Sequence, residues 1–347
     1  MTSPHTESLL QAQEWLHRRE LNAAIKAFLE AETLGADPAS CSAGRWMAHM
    51  LQGNFESAWA ESDAIRAGGA PDPHRFWQGE DLRGKRVILR CLHGLGDAVQ
   101  FLRYIPALRS IAASLIVEVP PALVELAACF EGVERVITWG ADAPHAAPPW
   151  DVQVEINELP YLFRTTAQQL PLATRYLHLP HAALQHFAPH ANHPESLRAG
   201  LVWASGRWNP TRSIPFDVLR PVLECEGCEF WNLQGGSERQ RWSQLNPSPH
   251  LHDASACEHS IVALAATIAQ LDLVITSDTL AAHLAGALGT PAWVMLERAA
   301  DWRWQHARED CPWYPSLRLF RQQHDGKWAD VIDRITNELH NVCPAAW

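Results

Sequence analysis

Residues 271–296, LDLVITSDTLAAHLAGALGTPAWVML, constrain the fold more than any other stretch of the chain. Two short apolar runs, LDLVIT and PAWVML, flank an Ala- and Gly-rich segment of helical length. Short apolar runs bounded by turn residues read as buried strands. A helix joining two such strands makes them parallel neighbours with a right-handed crossover, the unit of a doubly wound α/β layer. A helix that only covered a sheet would need neither Asp278-Thr279 at its start nor His283 one turn in.

The same alternation recurs on both sides of this stretch. Residues 86–92, 114–120, 135–140 and 151–156 are strand-like, with helix-like AVQFLRYIPALRS and PALVELAACF between them. After a Pro/Ala-rich loop at 141–150 and a His-rich linker at 181–196, it restarts with strand-like runs at 199–205, 228–234, 271–276, 291–296 and 316–322. The expected helices here are PFDVLRPVLECEG, SIVALAATIAQ and TLAAHLAGALG, with a final amphipathic KWADVIDRITNELH. At 347 residues the chain has room for two or three domains. The fold class expected is α/β, with two Rossmann-like doubly wound domains at 76–190 and 191–326 and a C-terminal helix within 327–347.

Residues 1–75 lack strand signals and read as helices. LNAAIKAFLEAETLGADP and FESAWAESDAIRAGGAPDP share a pattern that places Ala24 and Ala58 34 residues apart, the tetratricopeptide (TPR) period. Two such units are too few to fold comfortably alone, so this TPR-like segment is expected to dock on the neighbouring α/β domain, with a protein partner as a further possibility.

Composition removes several functions. A net charge of −11, with no Lys/Arg cluster, argues against nucleic acid as a partner. The N-terminus lacks a basic region followed by an apolar core, and no run of about 18 apolar residues occurs, so neither signal peptide nor spanning helix is expected. Eight scattered cysteines then read as reduced cytosolic thiols. Cys225 and Cys228 have C-x-x-C spacing, with His250, His252, Cys257 and His259 downstream. A structural zinc usually takes two such knuckles, and only one is visible, so a turn with incidental cysteines is the expectation.

In a doubly wound domain the ligand lies beyond the C-terminal ends of the strands. LHGLGDAVQF follows the first strand directly: Gly94 and Gly96 permit a tight turn, and Asp97 is either a helix cap or a general base, with His93 a second candidate. In the later domain, the backbone N–H groups of Thr279, Leu280 and Ala281 open a helix and suit an anion such as a diphosphate. Asp278 suits sugar hydroxyls, since it would repel phosphate. His283 is either a further donor to the ligand or a histidine satisfied within the domain. WASGRWNPTRSIPF supplies Ser205, Arg207, Arg212 and Ser213, Arg212 being either a solvated surface charge or the partner of a phosphate leaving group. Gln234, ending NLQ, belongs to the same rim. Anion-binding amides, hydroxyl-binding groups and a facing carboxylate describe a nucleotide-sugar site.

Through GLGDAVQFLRYIP, GLVWASGRWNPTRSIPF, NLQ, the 271–296 run, DWRW and WYPSLRLFRQ, the chain resembles glycosyltransferase family 9, the ADP-heptose:lipopolysaccharide heptosyltransferases, and more closely its tetratricopeptide-containing bacterial members. The resemblance covers residues from about 76 to 340. It implies a GT-B fold whose C-terminal helix crosses back onto the N-terminal (acceptor) domain, and inverting transfer without metal or other cofactor. By motif, Asp97 matches the family's general base, Asp278 its donor-sugar carboxylate, and Thr279 to Ala281 its diphosphate amides. Arg212 stands where heptosyltransferases have lysine, Leu280 replaces a glycine, and His93 replaces a more common polar residue. The implied partners are a nucleotide-diphosphate sugar donor of ADP-heptose type and a glycan, lipid-linked or protein acceptor. The implied location is cytoplasmic, with peripheral attachment at the inner membrane left open. A GT-B epimerase or hydrolase, and a TPR/GT-B adaptor without catalysis, are the alternatives.

Overall fold

The computed structural model describes residues 3–69, 76–139, 149–171, 175–186, 195–206, 209–245, 248–254 and 260–343. The chain forms two units, a helical one (Met1–Gly79, Glu158–Pro171, Ala299–Arg308) and an α/β one (Glu80–Asn157, Leu172–Arg298, Glu309–Trp347).

The helical unit begins with α1 (Pro4–His17), α2 (Leu21–Thr33), α3 (Pro38–Gln52) and α4 (Phe55–Gly68), each packed on the next. Local chemistry sets the boundaries of α3. Asp37 caps it by accepting from Ser40 N–H at 2.8 Å, and Gly53 ends it in the left-handed region at φ 78°. Small residues let the helices approach closely. Ala12, Ala24, Ala31 and Cys41 are wholly buried around Phe28, and a Cβ on Gly44 would lie 2.2 Å from the Phe28 ring. Ala58 is likewise wholly buried.

The unit also recruits two segments from much later in the chain, which the expected 1–75 boundary does not foresee. In the first, containing α8 (Leu159–Leu162), Thr165 O accepts from Trp59 Nε1 at 2.7 Å and Arg164 pairs with Asp63 at 2.6 Å. In the second, Trp302 meets Trp46 edge-on at 5.7 Å and His306 N–H donates to Leu51 O at 2.7 Å.

The α/β unit holds two parallel sheets. The first comprises β1 (Arg86–Arg90), β2 (Ser114–Val119), β3 (Arg135–Thr138) and β4 (Val152–Glu155) in the order β3-β2-β1-β4. The second comprises β5 (Leu197–Val202), β6 (Cys228–Asn232), β7 (Leu251–Asp253), β8 (Leu273–Ser277), β9 (Ala292–Leu296) and β10 (Leu317–Arg321) in the order β10-β9-β8-β5-β6-β7. Every ladder is parallel. Counted from β5, the second sheet has the 3-2-1-4-5-6 order of dinucleotide-binding folds, with its order reversing between β5 and β8. The connecting helices are α5 (Leu95–Phe101), α6 (Ile105–Ile111), α7 (Val124–Ala127), α9 (His181–His186), α10 (Arg220–Leu223), α11 (Ile261–Ile268) and α12 (Leu280–Leu288).

Several expectations need correction. The three-residue strand β7 was not expected, and the 215–227 helix is a 3-10 turn (Phe216–Leu219) followed by the single turn of α10. Pro215 and Pro221 deny that stretch a continuous backbone ladder. The last helix, α13 (Ala329–Val342), packs its apolar face on the second sheet. Val331, Ile332, Ile335 and Leu339 are buried in the second sheet's core with Phe230 and Phe320. The cysteines are not all reduced thiols either: Cys228, at the start of β6, is joined to Cys343, just past α13, by a disulfide. Among the described residues no helix is long and apolar enough to cross a membrane.

Candidate functional site

A cavity of about 620 Å³ opens at the C-terminal ends of β5, β6 and β8, at the point where the strand order reverses. Ser205, Arg212, Gln234, Asp278, Thr279, Leu280 and Ala281, all expected from sequence, line it. Its walls also hold residues that sequence reasoning passed over, chiefly Asn209, Gly235, Gly236, Ser237 and Glu238. Gly236 has φ +70°, a conformation that favours glycine, and the Gly-Gly pair closing NLQGG was its visible signal. Arg207 lies outside the described residues.

Helix α12 turns its N-terminal end to the cavity. Thr279 is its N-cap in extended conformation (φ −141°), yet its side chain caps no backbone N–H. Its Oγ1 instead shares a 3.0 Å hydrogen bond with Thr276 Oγ1. The first-turn N–H groups of a helix have no intrahelical acceptors, and its N-terminal end carries partial positive charge. Arg212 adds a full charge. Its Nε lies 3.4 Å from Asp278 Oδ2, with the Asp278 side chain only 8% exposed. Asp278 therefore holds the guanidinium in place as much as it offers an acceptor for hydroxyls.

The loop carrying Arg212 is fixed by side chains whose role is positional. Gln234 Oε1 accepts from Trp203 N–H (3.0 Å) and Ala204 N–H (2.8 Å), while its Nε2 donates to Ala204 O (3.1 Å) and Gly235 O (3.0 Å). All the hydrogen-bonding directions of a primary amide are thereby used. Gln234 lines the cavity but acts by holding the β5 loop against the end of β6. Ser213 Oγ accepts from Ser205 N–H at 3.0 Å, and Ser205 Oγ donates to Asn209 O at 2.6 Å. Glu297, which the sequence did not single out, accepts from Asn209 Nδ2 (3.3 Å) and Thr211 Oγ1 (2.7 Å) on either side of the bend.

The glycines of the first sheet's turn serve packing. Gly94 is the N-cap of α5, and Asp97, its third residue, caps the turn as the acidic member of a capping box, its Oδ2 accepting from Gly94 N–H at 3.1 Å. A Cβ on Gly94 would crowd that carboxylate at 3.1 Å, and one on Gly96 would lie 2.6 Å from the His283 ring. His283 is 5% exposed, shares a 3.0 Å hydrogen bond between Nδ1 and Tyr314 Oη, and does not line the cavity. It is a core histidine against which α5 closes on α12. Arg103, wholly buried, reinforces this closure. It donates to Gln100 O (2.8 Å) and Trp313 O (2.9 Å), with Tyr176 and Tyr314 stacked within 5 Å of its guanidinium.

Asp97 is half-buried and belongs to the turn beside α12, though not to the cavity lining. His93, exposed in the same turn, has Nε2 3.6 Å from Glu155 Oε1 at the end of β4. Of the residues considered for a metal, Cys228 is in the disulfide, His252 bonds Glu229 (2.6 Å), and His250 bonds Ser248 (2.6 Å) and faces Leu223 O (3.2 Å). Cys257 and His259 lie outside the described residues.

No family model matches the chain. Protein FlbA of Caulobacter vibrioides is 28% identical over 331 residues, covering 84% of this chain and 53% of its own length, so the chain spans about half of that curated relative. Among solved structures, the glycosyl transferase family 9 protein of Veillonella parvula superposes with TM-score 0.57 at 12% identity, covering 76% of this chain and 99% of that one. The ADP-heptose lps heptosyltransferase II of E. coli gives TM-score 0.53 at 14% identity, covering 74% and 98%. E. coli heptosyltransferase WaaC with ADP-2-deoxy-2-fluoro heptose gives 0.50 at 14%, covering 73% and 99%. The α/β unit thus has the fold of the glycosyltransferase family 9 structures.

Proposed function

We propose that the chain is a metal-independent inverting glycosyltransferase that takes a nucleoside-diphosphate sugar as donor. One observation carries this reading: the α12 N-terminus and the Asp278-held Arg212 converge on one cavity at a topological switch point. About 620 Å³ falls within the range of small-molecule sites. The helix end and Arg212 would stabilise the negative charge gathering on the leaving diphosphate, the kind of preorganised electrostatic effect that contributes most to catalysis. Two of the structures sharing the fold are heptosyltransferases, one holding an ADP-heptose analogue, which supports an ADP-heptose-like donor.

In the proposed reaction an acceptor hydroxyl oxygen attacks the anomeric carbon from the face opposite the diphosphate. The bond from that carbon to the diphosphate oxygen breaks, its electron pair leaves with the nucleotide, and Asp97 takes the hydroxyl proton. The helical unit, whose helices begin at the same 34-residue offset (Pro4 and Pro38, Leu21 and Phe55), is proposed as a TPR-like surface for a protein partner or protein acceptor.

The test is release of nucleoside diphosphate from a panel of ADP-, GDP- and UDP-sugars incubated with protein and glycan acceptor fractions. Wild type should release it, while Asp97→Ala should bind donor equally well but turn over about 10²–10⁴-fold more slowly. An Asp97→Ala protein with full turnover would remove the base assignment. Binding without turnover in wild type would favour the adaptor.

A further inference from the structure

The single C-x-x-C knuckle at Cys225 and Cys228 finds its missing half at the other end of the α/β unit's sequence. His340 and Cys343 form an H-x-x-C pair where α13 ends. Two contacts join the pairs: Cys225 Sγ lies 3.9 Å from His340 Nε2, and Cys228 Sγ is bonded to Cys343 Sγ. Both knuckle cysteines are 3% exposed, whereas His340 is exposed and Cys343 half-buried at the edge of the same core. Metal–sulfur bonds of about 2.3 Å and metal–nitrogen bonds of about 2.0 Å place the sulfur and nitrogen ligands of a tetrahedral zinc roughly 3.5 Å apart. The Cys225–His340 separation is close to such an edge.

We propose that in the reduced chain Cys225, Cys228, His340 and Cys343 form a Cys₃His structural zinc site that ties the end of α13 to the turn before β6. With Cys228 and Cys343 bonded to each other, no group of three suitable ligands exists among the described residues, so bridge and metal are alternative states. Opening the bridge takes two electrons and two protons from a dithiol reductant, which itself becomes a disulfide. Zn²⁺ then displaces the three thiol protons and accepts the lone pair of neutral His340 Nε2. A thiolate-rich set with one imidazole is suited to zinc and unsuited to magnesium or calcium. None of the four residues lines the donor cavity, so the site acts on the attachment of α13 and stands apart from the proposed transfer.

The test uses the full chain reduced with a dithiol, then exchanged without air into buffer free of the dithiol and of any chelator. Metal content should be about one zinc per chain, falling to a tenth or less in Cys225→Ser and Cys343→Ser, and unchanged in a control Cys129→Ser. Because the first two variants can misfold, His340→Cys provides a second arm. It should keep the metal, and its cobalt-loaded form should show stronger thiolate-to-cobalt charge-transfer absorption than wild type. Reduced protein that binds no zinc even when zinc is added would overturn the proposal, as would zinc that survives Cys225→Ser. So would denatured protein, prepared under the same reductant, with six titratable thiols in place of eight.

Discussion

Replacing Gly96 with alanine sets a favourable backbone effect against an unfavourable contact. Alanine gains up to about 1 kcal/mol over glycine inside a helix, and Gly96 is the second residue of α5. The added methyl would lie 2.6 Å from His283 Cδ2 and 3.0 Å from Nε2, where ordinary contacts start at about 3.5 Å. One partner must therefore move by roughly 1 Å. His283 has little room to do so, being 5% exposed and bonded to Tyr314 at 3.0 Å. Overpacking of this kind costs about 1–3 kcal/mol. The contact should win by about 1–2 kcal/mol, lowering the melting temperature of the α/β unit by about 2–8 °C. In a His283→Ala background the ring is gone and the helix gain remains, so the same substitution should be neutral or stabilising. Thermal and denaturant unfolding of the four proteins in this cycle give the coupling directly. A Gly96→Ala protein as stable as wild type would refute the close packing of α5 on α12.

The site and the helical unit each offer a further test. Gln234→Leu keeps the side-chain bulk but strands the N–H groups of Trp203 and Ala204. It should cost about 1–3 kcal/mol and weaken nucleotide binding without removing a ligand contact, measured by unfolding and by calorimetry. Asp63 is held below its ordinary value of 3.8, first by the hydrogen bond from Arg164 and then by that from Tyr161. A depressed folded value contributes stability above pH 3.8 that is lost as pH falls through the folded value. The exposed pair makes this a small term, so melting scans between pH 5 and pH 2 (roughly the window of such a carboxylate) should show a slightly shallower acid decline for Asp63→Asn than for wild type.

The alternation of apolar runs with helical segments made both sheets legible, because parallel strands buried on two faces are continuously apolar. Strand β7 escaped because three residues at a sheet edge leave no period to detect. That Asp278, Thr279 and Arg212 would meet at one cavity was legible because strand-to-helix turns have fixed positions in this fold. The purpose of Gln234 was not, since four bonds to backbone groups at three other residues are a tertiary fact. His283 carries the same lesson. One turn into α12 it reads as a ligand donor, but its ring meets Gly96, nearly two hundred positions earlier in the chain. The Cys225–His340 contact, across 115 residues, is likewise invisible to spacing, which sees two unrelated pairs.

The central claim is that the cavity at the β5–β8 switch point binds a nucleoside diphosphate through Arg212 and the α12 N-terminus. Calorimetric titration of the full chain with ADP, GDP, UDP and their sugars tests it most directly. At least one of them should bind saturably, and Arg212→Ala should weaken that binding about tenfold or more, as loss of a charge-assisted contact requires. Binding that Arg212→Ala leaves unchanged, or no binding of any nucleotide, would contradict it.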